Sequence, residues 1–557
     1  MMRILWLDIN SSYSHSSVAL PAIHAQLTNP SQHEWTVVRG TINDTPGSLA
    51  SLVEQQKPDV VAATFWLFTH QMQVETLSRV NALLDGVTIV CGGSEFLGDN
   101  EDFLRRNKFV TAVFRGEGEV ALPKWLDIAD SPDKWNEVEG LCWIDKEGEY
   151  RDNDFAKVLD FSSLKYPEES PFFRWDKPFV QLETTRGCFN TCAFCVSGGE
   201  KPIRSQSLAQ IRERLNNICN HGIKDIRVLD RTFNYDTKRA CEILDLFCEF
   251  KDKMRFHLEI HPALMSEKLK EKIAGLPKGL LHLEAGIQSL HDDVLEACGR
   301  KGSLKASLDG LAYLCSLPNV ETHADLIAGL PLYSLEMLVD DVRTLVSIGV
   351  DELQLESLKL LPGTKMRRDA DVLGLRFSPL PPYEVLRTRE MDSMELKTTM
   401  QVSRMLDFYY NCEAYQKLVG KMIQEVDGFI LDFTFFLRDS MVLESPLSQE
   451  RKGQLLYEYC LENLPEWAAE VSVAWIESGA SLKKKPAEKV VKIKNLESFC
   501  DCKFTTLYGE YKETHRFFFL PMKGENSAGL IFGYDSLVHT PSPVFKASVR
   551  ESDLCGL

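Results

Sequence analysis

Short apolar runs alternate with amphipathic stretches over the first 150 or so residues. Ile4–Leu7, Trp35–Val38, Asp59–Thr64, Val87–Gly93 and Val110–Glu119 read as strands, the last turning into a helix. Ser17–Leu27 and Gln71–Leu84 read as helices between them. This alternation predicts a doubly wound parallel sheet. Ligands of such a sheet bind outside the carboxyl ends of the strands, where Thr64, Gly92-Gly93 and Gly116-Glu117-Gly118 fall. Glycine lets backbone approach a ligand closely, and a plain chain reversal accounts for the same residues.

A second alternating series follows, with strands at Phe179–Thr184, Asp225–Asp230, Arg255–His261, Leu281–Ile287, Thr322–Ala328 and Glu352–Ser357. Six strands, each followed by a helix, predict a partial (β/α)6 TIM-like barrel. Between the two series the chain is turn-rich, with one small antiparallel element at Gly140–Tyr150. After about residue 380 the texture changes to a Met-rich helical stretch, Glu384–Lys421, further helices through Leu456–Glu477, and an aromatic, strand-rich end from Val490 to Phe545. The expected plan is an α/β domain at 1–150, a linker at 151–175, the barrel at 176–384 and an α+β domain at 385–557.

Composition narrows the class. Apolar content of 44% and charged content of 26% are those of a globular protein. A net charge of −18 argues against a broad nucleic-acid surface. The densest basic run, Lys483-Lys484-Lys485, reads as a solvated loop. Fifteen cysteines are too sparse for a disulfide scaffold, and most sit in apolar segments as small hydrophobes. No stretch has the features of a signal peptide or the roughly 18 apolar residues of a membrane span. The expected setting is cytoplasmic, where thiolates can hold iron.

Cys188, Cys192 and Cys195 change the picture, because they place three thiols in the run Cys-Phe-Asn-Thr-Cys-Ala-Phe-Cys. A structural zinc site wants four ligands, usually in two pairs. Three thiolates suit a [4Fe–4S] cluster with one iron left open. This Cys-x3-Cys-x2-Cys loop, placed after the first barrel strand, resembles the signature of the radical S-adenosylmethionine (SAM) superfamily. The resemblance implies that SAM chelates the open iron and that its reductive cleavage yields a 5′-deoxyadenosyl radical. It also implies a one-electron donor such as flavodoxin or ferredoxin.

Two further segments resemble family motifs. Glu284-Ala-Gly-Ile-Gln-Ser289 is similar to the family's E-x-G-x-Q-S strand, which implies SAM contacts for Glu284, Gln288 and Ser289. Asp325–Pro331 is similar to the strand and turn that receive the adenine, which implies contacts at Ile327 and Gly329. Gly198-Gly199-Glu200 looks like the family's GGE motif but lies too early, just past the cluster loop. Asp230, Arg231 and Thr232 occupy the expected place and are the candidates for the SAM amino contact. Arg204 and Ser205 are further candidates to face the cofactor, Glu259 points toward SAM or substrate, and His261 is a candidate proton donor.

The N-terminal series resembles the cobalamin-binding module that precedes the barrel in one large radical SAM class. The matching pieces are Pro58–Thr64, Val90–Gly93 and Arg115–Glu119, which implies a corrin over Thr64, Gly92, Gly93, Gly116, Glu117 and Gly118. None of the twelve histidines sits in an Asp-x-His-x-x-Gly motif, so base-off cobalamin without a histidine ligand is expected. The tail is similar to an uncharacterised domain carried by one subgroup, and Cys500 and Cys502 read as free thiols rather than ligands. The leading function is methylation of an unactivated carbon on an unknown substrate. Rearrangement or cyclisation without methyl transfer, and a non-catalytic cobalamin or iron–sulfur sensor, are the alternatives. A tRNA-modifying role is disfavoured by the acidic balance.

Overall fold

β1 (Arg3–Asn10) is buried from Ile4 to Ile9 on both faces, as a central parallel strand has to be. The computed structural model describes residues 1–487, 489–494, 496, 499, 515–524, 527–535, 541–550 and 554. β1 pairs in parallel with β2 (Glu34–Thr41) on one side and β3 (Val60–Thr64) on the other. β4 (Thr88–Gly92) and β5 (Ala112–Phe114) extend the parallel sheet. β6 (Leu141–Ile144) and β7 (Tyr150–Asp152) then add to it antiparallel. The element expected within a turn-rich connection therefore closes this sheet, whose order is β2-β1-β3-β4-β5-β6-β7.

Alternate residues feed two cores, which is why the strands read as continuously apolar. Trp6, Ala62, Val90 and Phe114 pack with α1 (Ala19–Ala25) and later with Leu122 and Trp125. Leu5, Leu7, Val61, Ala63 and Ile89 pack on the other face against Leu49, Val53, Leu77 and Val80. Those four come from α2 (Pro46–Gln56) and α3 (His70–Leu83). The order changes direction between β1 and β3, and a crevice opens beyond the strand ends at such a switch point.

The second sheet takes its six strands in chain order: β8 (Phe179–Leu182), Asp225–Val228, Arg255–Ile260, Leu281–Gln288, Val320–Ala328 and Glu352–Ser357. The resolved registers are parallel, as the strand–helix alternation predicts. Behind it, the helix Leu208–Asn220 starts in a Ser207/Gln210 capping box and carries Arg214 inward. Arg214 donates to Glu168 at 2.8 Å and to the Glu183 carbonyl at 2.9 Å. Those bonds fix the end of β8, from which the cysteine loop departs.

A second compact unit comprises residues 342–347, 352–355 and 397–557. Residues 356–396 belong with the first unit, so the expected boundary at 385 moves to 397. Tyr409, Phe429, Phe433 and Tyr459 form its aromatic centre, with ring centroids 4.9–5.9 Å apart. Four antiparallel strands, Val491–Ile493, His515–Gly524, Ser527–Asp535 and Phe545–Val549, complete the expected α+β character. Cys500, Cys502, Phe504 and Tyr508 lie outside the described residues. Among the described residues no helix is long and apolar enough to cross a membrane.

The side chains of Arg214 and Glu168 are 3% and 1% exposed, so removing one partner strands a buried charge. Arg214→Met is expected to cost about 3–5 kcal/mol, read as a lower urea midpoint of the tryptophan signal. An unchanged midpoint would show that the pair contributes nothing net.

Candidate active site

A two-residue antiparallel ladder, Thr185–Arg186 against Arg204–Ser205, pinches off residues 187–203 as a loop. Inside it Cys188 N–H donates to the Glu200 carbonyl at 3.0 Å and Gly199 N–H to the Asn190 carbonyl at 2.7 Å. The buried Asn190 side chain accepts from Lys301 N–H at 2.8 Å and donates to the Lys301 carbonyl at 3.0 Å. Ala193 N–H donates to the Cys298 carbonyl at 2.7 Å. The loop is thus fixed from its neck and from the turn after the fourth barrel strand.

Cys188 and Cys192 are buried and Cys195 is half-buried. Burial pushes the Cys192 thiol up, and the Arg300 guanidinium, 3.7 Å from its sulfur, opposes that shift. Burial raises Cys195 likewise, against a backbone hydrogen bond from Ser197. Thiolates around one tetrahedral zinc stand about 3.8 Å apart, from a Zn–S bond of about 2.3 Å. A closed zinc site wants a fourth ligand, whereas three thiolates leave one iron of a [4Fe–4S] cluster open. A Cβ on Gly198 would overlap the Cys192 carbonyl oxygen, so this glycine serves closure of the loop. Gly198-Gly199-Glu200 is therefore part of the cysteine loop's own framework.

Asp230 requires a correction. Its buried carboxylate accepts from Thr184 N–H at 2.7 Å, from Thr185 N–H at 2.9 Å and from the Thr184 hydroxyl. The side chain ties the first two barrel strands together and is buried at 1% exposure, so it turns to the neighbouring strand rather than to a SAM amino group. Ser289 requires another, since it is fully buried and donates to Asp341 at 3.3 Å. Asp341 also takes Leu290 N–H and the Tyr333 hydroxyl. Arg231 remains exposed to the open space, 3.9 Å from Glu259, while the buried Thr232 hydroxyl lies 3.8 Å from the Cys188 sulfur.

Gln288 ends the fourth barrel strand. It sits at a register shift with φ of 73°, and its side-chain oxygen is buried without a hydrogen-bond partner. Strain and an unsatisfied acceptor at one residue mark a place built for a ligand. Half-buried Ile327 follows Asp325 on the same face of its strand. Gly329 has φ of 87° and would bring a Cβ to 3.3 Å from Leu396, so backbone conformation and packing both call for glycine.

The inner face of the barrel carries a row of titratable groups that sequence reasoning only partly found. His257 lies 2.7 Å from Glu284, its ring stacked on His282 at 4.5 Å, and His323 lies 3.0 Å from Asp325. Burial alone would raise Glu284, but the His257 and His323 contacts outweigh it and hold the carboxyl low. Burial raises Asp325 against the His323 contact. Glu259 is pushed up to about 7, by burial first and by Glu284 and Asp325 next, with Arg231 opposing. His261 is a correction, because burial and the Arg300 charge lower it to about 4. That shift disfavours its imidazolium form near pH 7, and Nε2 lies 3.2 Å from the Lys301 carbonyl, which argues against it as a proton donor.

Outside the strand ends of the first sheet lies a cavity of about 630 Å³. Thr64, Gly92, Gly93, Gly116, Glu117 and Gly118 all line it. A Cβ on Gly93 would come within 2.5 Å of the Phe65 carbonyl, and one on Gly116 would overlap that of Ala156. Both also have φ above 100°, so these two glycines answer to the chain itself. Gly92 is different, since a Cβ there meets only ordinary contacts at 3.7 Å. The Glu117 carboxylate is committed to Arg204, at 2.8 Å through both oxygens. A deep apolar slot reaches Trp6, Ala22, Ile23, Ala62, Val90 and Leu122. The opposite wall is Gly187, Ser197 and Glu200 of the cysteine loop together with Arg231. Trp66 and Phe68, 37% and 60% exposed, also line the cavity and were missed from sequence. Their position directly after β3 was the available signal.

Residues 182–345 match the model of the radical SAM superfamily, and 372–472 match a protein family of unknown function, DUF4080. An uncharacterized methyltransferase of Pyrococcus horikoshii is 25% identical over 435 residues, covering 72% of this chain and 88% of that protein. The tRNA-2-methylthio-N(6)-dimethylallyladenosine synthase of Herpetosiphon aurantiacus is 30% identical over 336 residues, covering 54% and 74%. Among solved structures, the cobalamin-dependent SAM radical enzyme OxsB, with aqua-cobalamin and SAM bound, superposes with a TM-score of 0.60 at 14% identity over 84% of this chain and 81% of its own. The radical SAM methyltransferase TsrM of Kitasatospora setae, with cobalamin and a [4Fe–4S] cluster bound, gives 0.54 at 16% identity over 72% and 82%. At these identities the structures share the fold. With the cysteine loop, the barrel and the sheet ahead of it in place, the chain belongs to the radical SAM superfamily, as an enzyme whose fold is that of the superfamily's cobalamin-dependent members.

Proposed function

We propose that the chain is a cobalamin-dependent radical SAM enzyme that methylates an unactivated carbon. The observation that carries this reading is the cavity of about 630 Å³, with an apolar slot at one end and the cysteine loop as its far wall. The residues present fit a corrin. Trp6, Ala22, Ile23, Ala62, Val90 and Leu122 would give apolar contact to a base-off cobalamin's lower base, Trp66 and Phe68 would add apolar contact to the corrin, and Gly92 would allow close approach at the strand end. They also fit a cluster with SAM, through the three thiols and the unsatisfied Gln288 oxygen. When bound, the [4Fe–4S] cluster supplies the electron that cleaves SAM and cobalamin carries the methyl group.

The chain's own residues do the rest. Cys188, Cys192 and Cys195 would hold the cluster, with Arg300 compensating the negative charge at Cys192. Gln288, Ile327 and the backbone at Arg231 and Thr232 would seat SAM, and the Glu259 carboxylate would face its cationic groups. A substrate entering the barrel meets Glu284, Asp325 and their histidine partners, which can hold or pass a proton at a carboxylate oxygen. Gly187, Ser197 and Arg231 line the cavity at the cysteine loop, so a substrate bound there would lie close to both cofactors. A one-electron donor such as flavodoxin or ferredoxin would supply the reductant.

Three outcomes are expected. Anaerobic incubation of the reconstituted protein with SAM, reductant, methylcobalamin and a cell extract yields both 5′-deoxyadenosine and S-adenosylhomocysteine by mass spectrometry. The first product alone would point to rearrangement without methyl transfer, and neither would undo the enzymatic reading. In the Co(II) form, electron paramagnetic resonance shows no nitrogen splitting from protein imidazole, as base-off binding without histidine requires. Among the described residues His15 is the only histidine that lines the cavity, so a splitting that vanished in His15→Ala would overturn that expectation and identify the ligand. Finally, SAM affinity rises as pH passes through about 7, where Glu259 becomes charged. Between pH 6 and 8 the gain approaches about tenfold, and Glu259→Gln removes it. A pH profile identical in the two proteins would take Glu259 out of the SAM site.

A further inference from the structure

The neck of the cysteine loop carries two arginines, and both reach the helix that borders the cavity. Arg204, with a side chain 5% exposed, makes two 2.8 Å bonds to the two carboxylate oxygens of Glu117 and also pairs with Glu200. Glu117 occupies the N-cap position of the helix Gly118–Asp127 and stands between Gly116 and Gly118, which both line the cavity. It further accepts Val158 N–H at 2.6 Å. Glu200 in turn takes Cys188 N–H on its backbone carbonyl at 3.0 Å. Arg186, paired across the neck with Arg204, donates to Glu119 at 2.6 Å and to Glu183 at 2.7 Å. One unbroken run of contacts therefore leads from a cluster cysteine to the glycine turn at the corrin wall.

The physics of this run makes it stiff. A bidentate guanidinium–carboxylate pair fixes distance and angle together. Because Arg204 is buried and Glu117 half-buried, breaking the pair leaves the guanidinium poorly compensated, which favours joint movement of the loop neck and the helix start. Iron bound to Cys188 fixes one end of the run, and a ligand lying over Gly116 and Gly118 fixes the other. Two sites that each order the same element are energetically coupled, and the coupling is reciprocal.

We propose that the Glu200–Arg204–Glu117 run is a positioning device that links cluster assembly to cobalamin binding, each favouring the other by the same factor. The inference rests on the corrin reading of the cavity. Neither arginine touches a reacting atom in this account; both act through the loop and the helix they join.

The test is equilibrium dialysis of hydroxocobalamin against the full chain, in cluster-reconstituted and in iron-free form, for wild type, Glu200→Gln and Arg204→Lys. Wild type is expected to bind about tenfold more tightly when reconstituted, within the range usual for coupled sites. In both variants the ratio falls toward one, because lysine keeps the charge of Arg204 but loses its fork, and an amide in place of the Glu200 carboxylate loses the charge. Each variant's iron-free form is its own reference, so a uniform loss of stability does not move the ratio. If Arg204→Lys fails to fold, the isosteric Glu200→Gln still decides. Equal affinity of the two wild-type forms, or a wild-type ratio retained in Glu200→Gln, overturns the linkage and leaves the corrin reading standing. No binding in either wild-type form overturns both.

Discussion

Three thiols held in one loop, two of them buried and one half-buried, set the conditions for the whole first unit. As thiolates they repel one another, and burial resists the ionisation of Cys192 and Cys195, so the loop cannot hold its shape by the cysteines alone. The structure answers with backbone bonds inside the loop, a two-residue ladder at its neck and the Asn190 amide clasped by Lys301. Arg300 places a positive charge beside Cys192 from the same turn. Arginines at the neck then tie the loop to the sheet domain, so the cavity wall and the cysteine loop share one framework.

Much of this was legible because burial leaves a strong imprint on sequence. A strand covered on both faces has to be apolar throughout, which is why β1, β3 and β4 could be read directly. β6 and β7 form an edge hairpin whose pattern is the same in a linker, so their membership of the sheet depended on pairing rather than periodicity. The second unit begins within a region whose helical texture is already established, and texture cannot place that boundary.

At the site the limits were of a different kind. A polar residue at a strand end looks alike whether it turns to a ligand or to the neighbouring strand. Asp230 and Ser289 turned inward to Thr184 and Asp341, and Glu117 to Arg204. Gln288 has a positive φ and an orphan side-chain oxygen, features no pattern of residue types reveals. Trp66 and Phe68 were overlooked for the opposite reason, since apolar residues after a strand pass for core. The histidines opposite Glu284 and Asp325 became visible only once the strand register brought them together.

The clasp between Asn190 and Lys301 joins segments more than a hundred residues apart. Because the Cys298–Lys301 turn supports the loop as directly as the loop supports itself, the two form one heritable module. A cysteine loop transplanted from a distant relative would arrive without its counterpart and sag. Evolution, or a protein engineer recombining such barrels, has to carry the pair across together.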